Sequence, residues 1–227
     1  MSLDTELTAE KVAIEFAGRD YRTLSRIRSN RITAEMQMHA MNQTLHSSAG
    51  SVSFATFAET VKSYIDITDA ENRWRQPALQ ADGETQPQQD AWLQDRIHSI
   101  SVSRGRLQEA AFQQAKAVDS WKTDPESAQQ FATIIDALVA SVSHERGLRR
   151  ELGQDTAAEL ASRFDQTRLV ATKVLIGASQ TAMDAIGPND PATSTKLAGA
   201  HGNLQKLVIE LGEHSAPKPK AGQRASL

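Results

Sequence analysis

Between Ala91 and Trp121 the residues Leu93, Ile97, Ile100, Arg104, Leu107, Ala111, Gln114, Val118 and Trp121 fall at alternating steps of four and three. Each step returns to nearly the same side of an α-helix, so the apolar members form one stripe that must pack on neighbouring helices. Gly105 is the one weak point in it. This segment is expected to be the element around which the other helices assemble.

The same periodicity predicts a first helix over about Thr8 to His46, with Phe16, Leu24, Ile27, Ala34, Met38, Met41 and Leu45 on one face. Gly18 is a candidate break in it, followed by Asp20 as a cap. Ser47 to Ser53 is turn-rich and ends on a candidate N-cap, Ser53, before Phe54, Phe57, Val61, Tyr64 and Ile65. That second helix is expected to stop near Arg75, ahead of Pro77, with a loop from Pro77 to Gln89. Thr123-Asp124-Pro125-Glu126 combines an N-cap, a first-turn proline and an acid at the positive helix end. It opens a helix with Phe131, Ile134, Ile135, Leu138, Val142 and Leu148, closed by Gly153. Thr156 and Glu159 have capping-box spacing before Leu160, Phe164, Ala171, Val174, Leu175, Ala178 and Ile186. After Gly187 to Pro191 a last helix covers about Ala192 to His214. Phe54-Ala-Thr and Phe131-Ala-Thr form a faint echo, both expected to open helices, too short to establish a duplication.

These elements predict an all-α fold, an elongated antiparallel bundle with coiled-coil-like seams. Its expected parts are an N-terminal hairpin over 1–86, a bundle core over 87–214 and a disordered basic tail over 215–227, the first two forming one continuous bundle. Of the 227 residues, 39% are hydrophobic and 5% aromatic, a composition that suits long helices sharing thin seams better than a body enclosing a large pocket. The formal net charge of −3 gives none of the general basic excess of a dedicated nucleic-acid binder. With no cysteine, disulfides and thiol-based metal sites or catalysis are excluded. No stretch has the length and apolarity of a membrane span or a secretory leader. The expectation is a cytoplasmic chain, or a periplasmic one if it is a fragment trimmed from a receptor.

Nucleotide-binding glycine loops and the Gly-x-Ser-x-Gly elbow are missing, so the chain is read as a non-enzyme. No cofactor and no metal are expected: Glu210 with His214, and His144-Glu145, fall short of the paired carboxylate–histidine units a di-iron bundle uses. His201 occupies the seam between Leu197 and Leu204, where its ring needs a hydrogen bond. It reads as a satisfied histidine before it reads as a pH sensor. Trp74, Trp92 and Trp121 read as core-edge anchors.

The main charge feature is the series Arg19, Arg22, Arg26, Arg28 and Arg31. Such a stripe either pairs with acids on neighbouring helices of the same bundle or grips an external anion or acidic partner. Arg104 and Gln114 interrupt the organising seam, as polar layers do where they fix register and partner choice.

Val142-Ser-His-Glu-Arg-Gly-Leu148, continued by Glu159-Leu-Ala-Ser-Arg-Phe164 and Thr167, resembles the helix–turn–helix of bacterial sensory ligand-binding bundles of the nitrate-sensing and chemoreceptor type. The resemblance spans about Phe131 to Val174. It departs at Arg168, where that family carries Asp, and at Arg163, displaced by one position. It implies a four-helix bundle that binds a small anion or metabolite, with Arg146 and Arg163 as ligand contacts.

Three functional expectations follow. The first is a helical scaffold or adaptor that pairs helices with itself, as a homo-oligomer, or with a protein partner. The second is the sensory bundle; the third is a regulator that contacts an anionic polymer through the arginine stripe, without specific DNA binding.

Overall fold

The computed structural model describes residues 21–46, 53–80, 86–117, 121, 124–154, 158–186 and 190–215. Within the helices, the side chains of residues 21–24, 46, 74–80, 158–165 and 213–215 are outside that description. The described residues form six helices and no strand: α1 (Tyr21–His46), α2 (Phe54–Gln80), α3 (Gln86–Ala115), α4 (Pro125–Glu151), α5 (Ala158–Ile186) and α6 (Pro191–Ser215). The all-α expectation is met.

Successive helices pair as antiparallel hairpins, α1 with α2, α3 with α4 and α5 with α6. In the first, Thr60 donates to Met41 Sδ near the turn, while Arg31 meets Glu71 towards the far end. In the third, Ser179 is bonded to His201. The hairpins stand side by side, because their second helices run parallel and pack closely, α2 on α4 and α4 on α6. Asp69 meets His144 across the first of these seams, and Gln129–Thr193 and Asn203–Asp136 hydrogen bonds cross the second. Along the other layer the contacts of α1 with α3 and of α3 with α5 are slight. The array is therefore tight through α2, α4 and α6 and open through α1, α3 and α5.

α4, rather than α3, is the central helix. It packs on α2, α3 and α6 at once and buries Phe131, Ile134, Ile135, Leu138 and Val142 together with Ala128, Ala132 and Ala137, whose small side chains let neighbours approach. Met38, Phe57, Val61, Tyr64, Ile100, Leu107, Leu175, Leu197, Leu204 and Leu211 join the same cluster, which draws on all six helices. Each large aliphatic side chain buried there contributes about 1.5–3 kcal/mol. Leu93, Ile97 and Leu148 form a smaller cluster between α3 and α4.

Three boundaries differ from expectation. α2 continues through Pro77 to Gln80, since a proline removes one helical hydrogen bond and Ala78, Leu79 and Gln80 are good helix formers. The expected loop from Pro77 to Gln89 is correspondingly shorter, with α3 already under way at Gln86. α3 in turn ends at Ala115, and Trp121 belongs to the connection, where it is fully buried with its ring 4.9 Å from that of Phe131. Its seam spacing is thus a coincidence of period. Phe131 lies beyond the first turn of α4 instead of opening it, so the two Phe-Ala-Thr triplets occupy different places in their helices.

The Asp124-Pro125 start holds as expected: Asp124 accepts from the Ser127 N–H at 3.3 Å and from its hydroxyl. Asp190-Pro191 repeats the device for α6, with Asp190 accepting from Thr193 N–H at 3.1 Å and Thr193 Oγ1 at 2.7 Å. α4 closes on Gly153 at φ 69°, a conformation that glycine adopts without strain. The Thr156 cap, Gly18, Asp20 and the tail lie outside the described residues.

Candidate functional site

The half of the bundle away from the hairpin turns holds two buried arginine–carboxylate networks, each reaching from the open layer into the tight one. Glu145 of α4 is fully buried. Arg104 of α3 donates to its Oε2 at 2.8 Å, Arg168 of α5 lies 2.9 Å from the same oxygen, and Arg149, one turn further along α4, donates to Oε1 at 3.0 Å. Burial alone would raise the Glu145 pKa. The charges of Arg168 and Arg104 and their hydrogen bonds outweigh it and hold the carboxyl below its ordinary value. A carboxylate held ionised by several guanidinium groups is a poor proton acceptor, so this arrangement suits structure or anion recognition better than acid–base chemistry.

The second network joins α1, α2 and α3. Glu71, buried in α2, takes Arg31 and, at 3.6 Å, Arg28. Glu35 takes Arg31 at 2.7 Å, Arg96 of α3 at 2.8 Å and the Ser99 hydroxyl at 2.7 Å. Tyr64 is buried among these charges. Burial pushes its hydroxyl pKa up, with Arg96 opposing the shift.

Between α3 and α5 a narrow cleft lined by Arg104, Gln108, Arg168 and Thr172 on its polar side, and by Leu138, Val142, Leu175 and Leu207 on its apolar side, reaches the Glu145 network. Its free space, about 10 Å³, is that of a single water molecule.

The residues singled out in the sequence divide. Arg28 and Arg31 turn inward to Glu71, Arg26 is exposed, and Arg19 and the Arg22 side chain lie outside the described residues. Arg146 is buried and pairs with Glu210 at 2.9 Å, which places it at the α4–α6 seam, whereas the Arg163 side chain is not described. His144, the neighbour of Glu145, sits 2.9 Å from Asp69. His201 is bonded through one ring nitrogen to Ser179 and through the other to Gln205, each at 2.8 Å. Among the described residues no group of three or more His, Cys, Asp or Glu is placed to hold a metal ion. No described helix is long and apolar enough to cross a membrane.

Sequence reasoning found Arg104 as a polar break in a seam but missed its partners. Glu145 belongs to α4 and Arg168 to α5, and only the order of helices in space brings them together. Periodicity also missed an outer feature. A residue two places from a buried one lies on the opposite side of a helix. Met36, between buried Ala34 and Met38, is 67% exposed; Val102 stands likewise between Ile100 and Arg104, and Val170, 65% exposed, between Arg168 and Thr172. With Ile32 and Val174 these apolar side chains all point outward from the open layer of α1, α3 and α5.

Fold and site together define an all-α array of three hairpins with buried arginine–carboxylate networks. Set against models of known protein families, curated proteins and solved structures, the chain matches none of them.

Proposed function

We propose that this protein is a non-enzymatic helical scaffold that engages a protein partner, or another copy of itself, through the outward face of α1, α3 and α5. One observation carries the reading: of the six large apolar side chains exposed among the described residues, five, Ile32, Met36, Val102, Val170 and Val174, lie on the layer whose helices are least covered by one another, and Ile209 of α6 lies on the other. Exposed apolar side chains grouped on one face mark interaction sites more often than scattered ones do. The two networks beneath that layer tie its helices to α2 and α4. The test is a photo-crosslinking residue placed at Met36, at Val174 and, as a control on the opposite layer, at Lys62. Discrete adducts from the first two positions and none from Lys62 support the reading. Absence of adducts at both Met36 and Val174 would refute it.

A second reading, the sensory bundle, would use the cleft beside Arg104 and Arg168. Both guanidinium groups pair with Glu145 and the cleft holds about one water, so an anion would have to compete with that carboxylate and part α3 from α5, which are only slightly in contact. A thermal-shift screen of small anions tests it: stabilisation lost on Arg104→Gln favours it, and no stabilisation by any of them dismisses it. The anionic-polymer reading receives no support from Arg28 and Arg31, which are engaged with Glu71.

A further inference from the structure

The partner of one edge of the open layer can be named from charge and symmetry. α5 packs closely on α6 and only slightly on α3, so it borders the array. Its outward line, at 100° per residue, carries Gln166, Val170, Lys173, Gly177 and Asp184, all exposed, with Val174 beside them at 54%. Lys173 and Asp184 are three turns apart on that line, one basic and one acidic. Between them Gly177 has no side chain, and a Cβ built there would meet nothing within 4 Å, so another helix can cross closely at this point. Asp184 accepts from Gln180 at 3.0 Å through one oxygen and keeps the other for a cation.

We infer that α5 docks antiparallel on the α5 of a second copy of this chain, about a two-fold axis at the level of Ala178 and Ser179. Under that operation Lys173 of each copy faces Asp184 of the other, giving two identical ion pairs. Two-fold contacts are self-complementary, so a single helix face needs to carry both members of the ion pair, as the line through Lys173 and Asp184 does. A heterologous partner would need none of this internal matching. The inference deepens the scaffold reading by specifying the occupant of one edge.

Sedimentation equilibrium of the full chain is the test. The parent is expected to associate to twice its 24.8 kDa mass. Lys173→Glu alone and Asp184→Lys alone each weaken the dimer by about tenfold or more, because each replaces two attractive pairs by two repulsive ones. Combining them restores association to near the parent value. Circular dichroism of every variant verifies that it is folded, since both side chains are exposed. A chain monomeric at about 100 μM, or a dimer indifferent to the single reversals or not recovered by the double one, overturns the pairing. A monomeric chain that still forms adducts at Met36 would overturn this inference alone and leave the scaffold reading standing.

Discussion

Replacing Glu145 by Gln removes one negative charge from the fully buried point where Arg104, Arg149 and Arg168 meet. The amide keeps the shape but lacks the charge that offsets desolvation of the guanidinium groups. Removing one partner from a buried ion pair typically costs 3–5 kcal/mol. Arg149, with a third of its side chain exposed, can swing towards water, whereas Arg104 and Arg168 cannot, so the loss belongs in that range. At roughly 2–4 °C per kcal/mol for a chain of this size, Tm at pH 7 should fall by about 6–20 °C. The pH dependence follows from the depressed pKa. Stability owed to the Glu145 charge is complete above the ordinary glutamate value of 4.5 and is lost as pH falls through the lower folded value. The gap between parent and Glu145→Gln should therefore be constant from pH 7 to about pH 5.5 and close in acid below the unfolded pKa. Thermal unfolding followed by circular dichroism across that range measures it. A Tm change under about 2 °C at pH 7, or a gap that persists unchanged in acid, would show that the network does not bear the charge balance described. The joint variant Glu145→Leu, Arg104→Leu, Arg168→Leu should lose less than Glu145→Gln, because it strands neither buried arginine.

Trp121→Ala should cost about 3–5 kcal/mol in urea unfolding, since the ring is fully buried against Phe131 and its removal leaves a cavity beneath the α3–α4 connection. Gly153→Ala should cost about 1–2 kcal/mol purely through its positive φ, because nothing lies within 4 Å of the added methyl; Gly153→Asn should cost less, and equal losses would refute the backbone account. Asp190→Ala should lower Tm at neutral pH by removing the cap of α6. The Thr193 contacts hold the Asp190 pKa below its ordinary value, so the deficit should shrink in acid as the parent carboxylate protonates.

The parts of this molecule that were legible in its sequence are those governed by local chemistry. Leu93, Ile97, Ile100, Leu107 and Ala111 announce α3 by spacing and are buried as that spacing requires. Asp124-Pro125 announces α4; the equivalent Asp190-Pro191 was available by the same rule, with Thr193 where Ser127 stands in the first case. Pro77 and Trp121 mislead for opposite reasons. A proline weakens a helix without always ending it, and a heptad-spaced tryptophan can leave the helix and still reach the core. The networks were half legible. Arg104 is conspicuous in an apolar seam, and Arg28 and Arg31 in a charged stripe, but Glu71 and Glu145 resemble any helical glutamate until the helices are placed in order. Nor does the pattern of apolar positions separate Val174, expected on the apolar face of α5 and 54% exposed, from a core residue, because it records hydrophobicity and not coverage.

The hairpin plan also shapes how the chain reaches its native state. Most helix partners are neighbours in sequence, a topology whose short loop closures favour formation in microseconds to milliseconds. Yet the first hairpin is electrostatically incomplete by itself, because Glu35 receives Arg96 and Ser99 from the second. The first hairpin therefore reaches its full set of part-buried hydrogen bonds only when α3 packs against it.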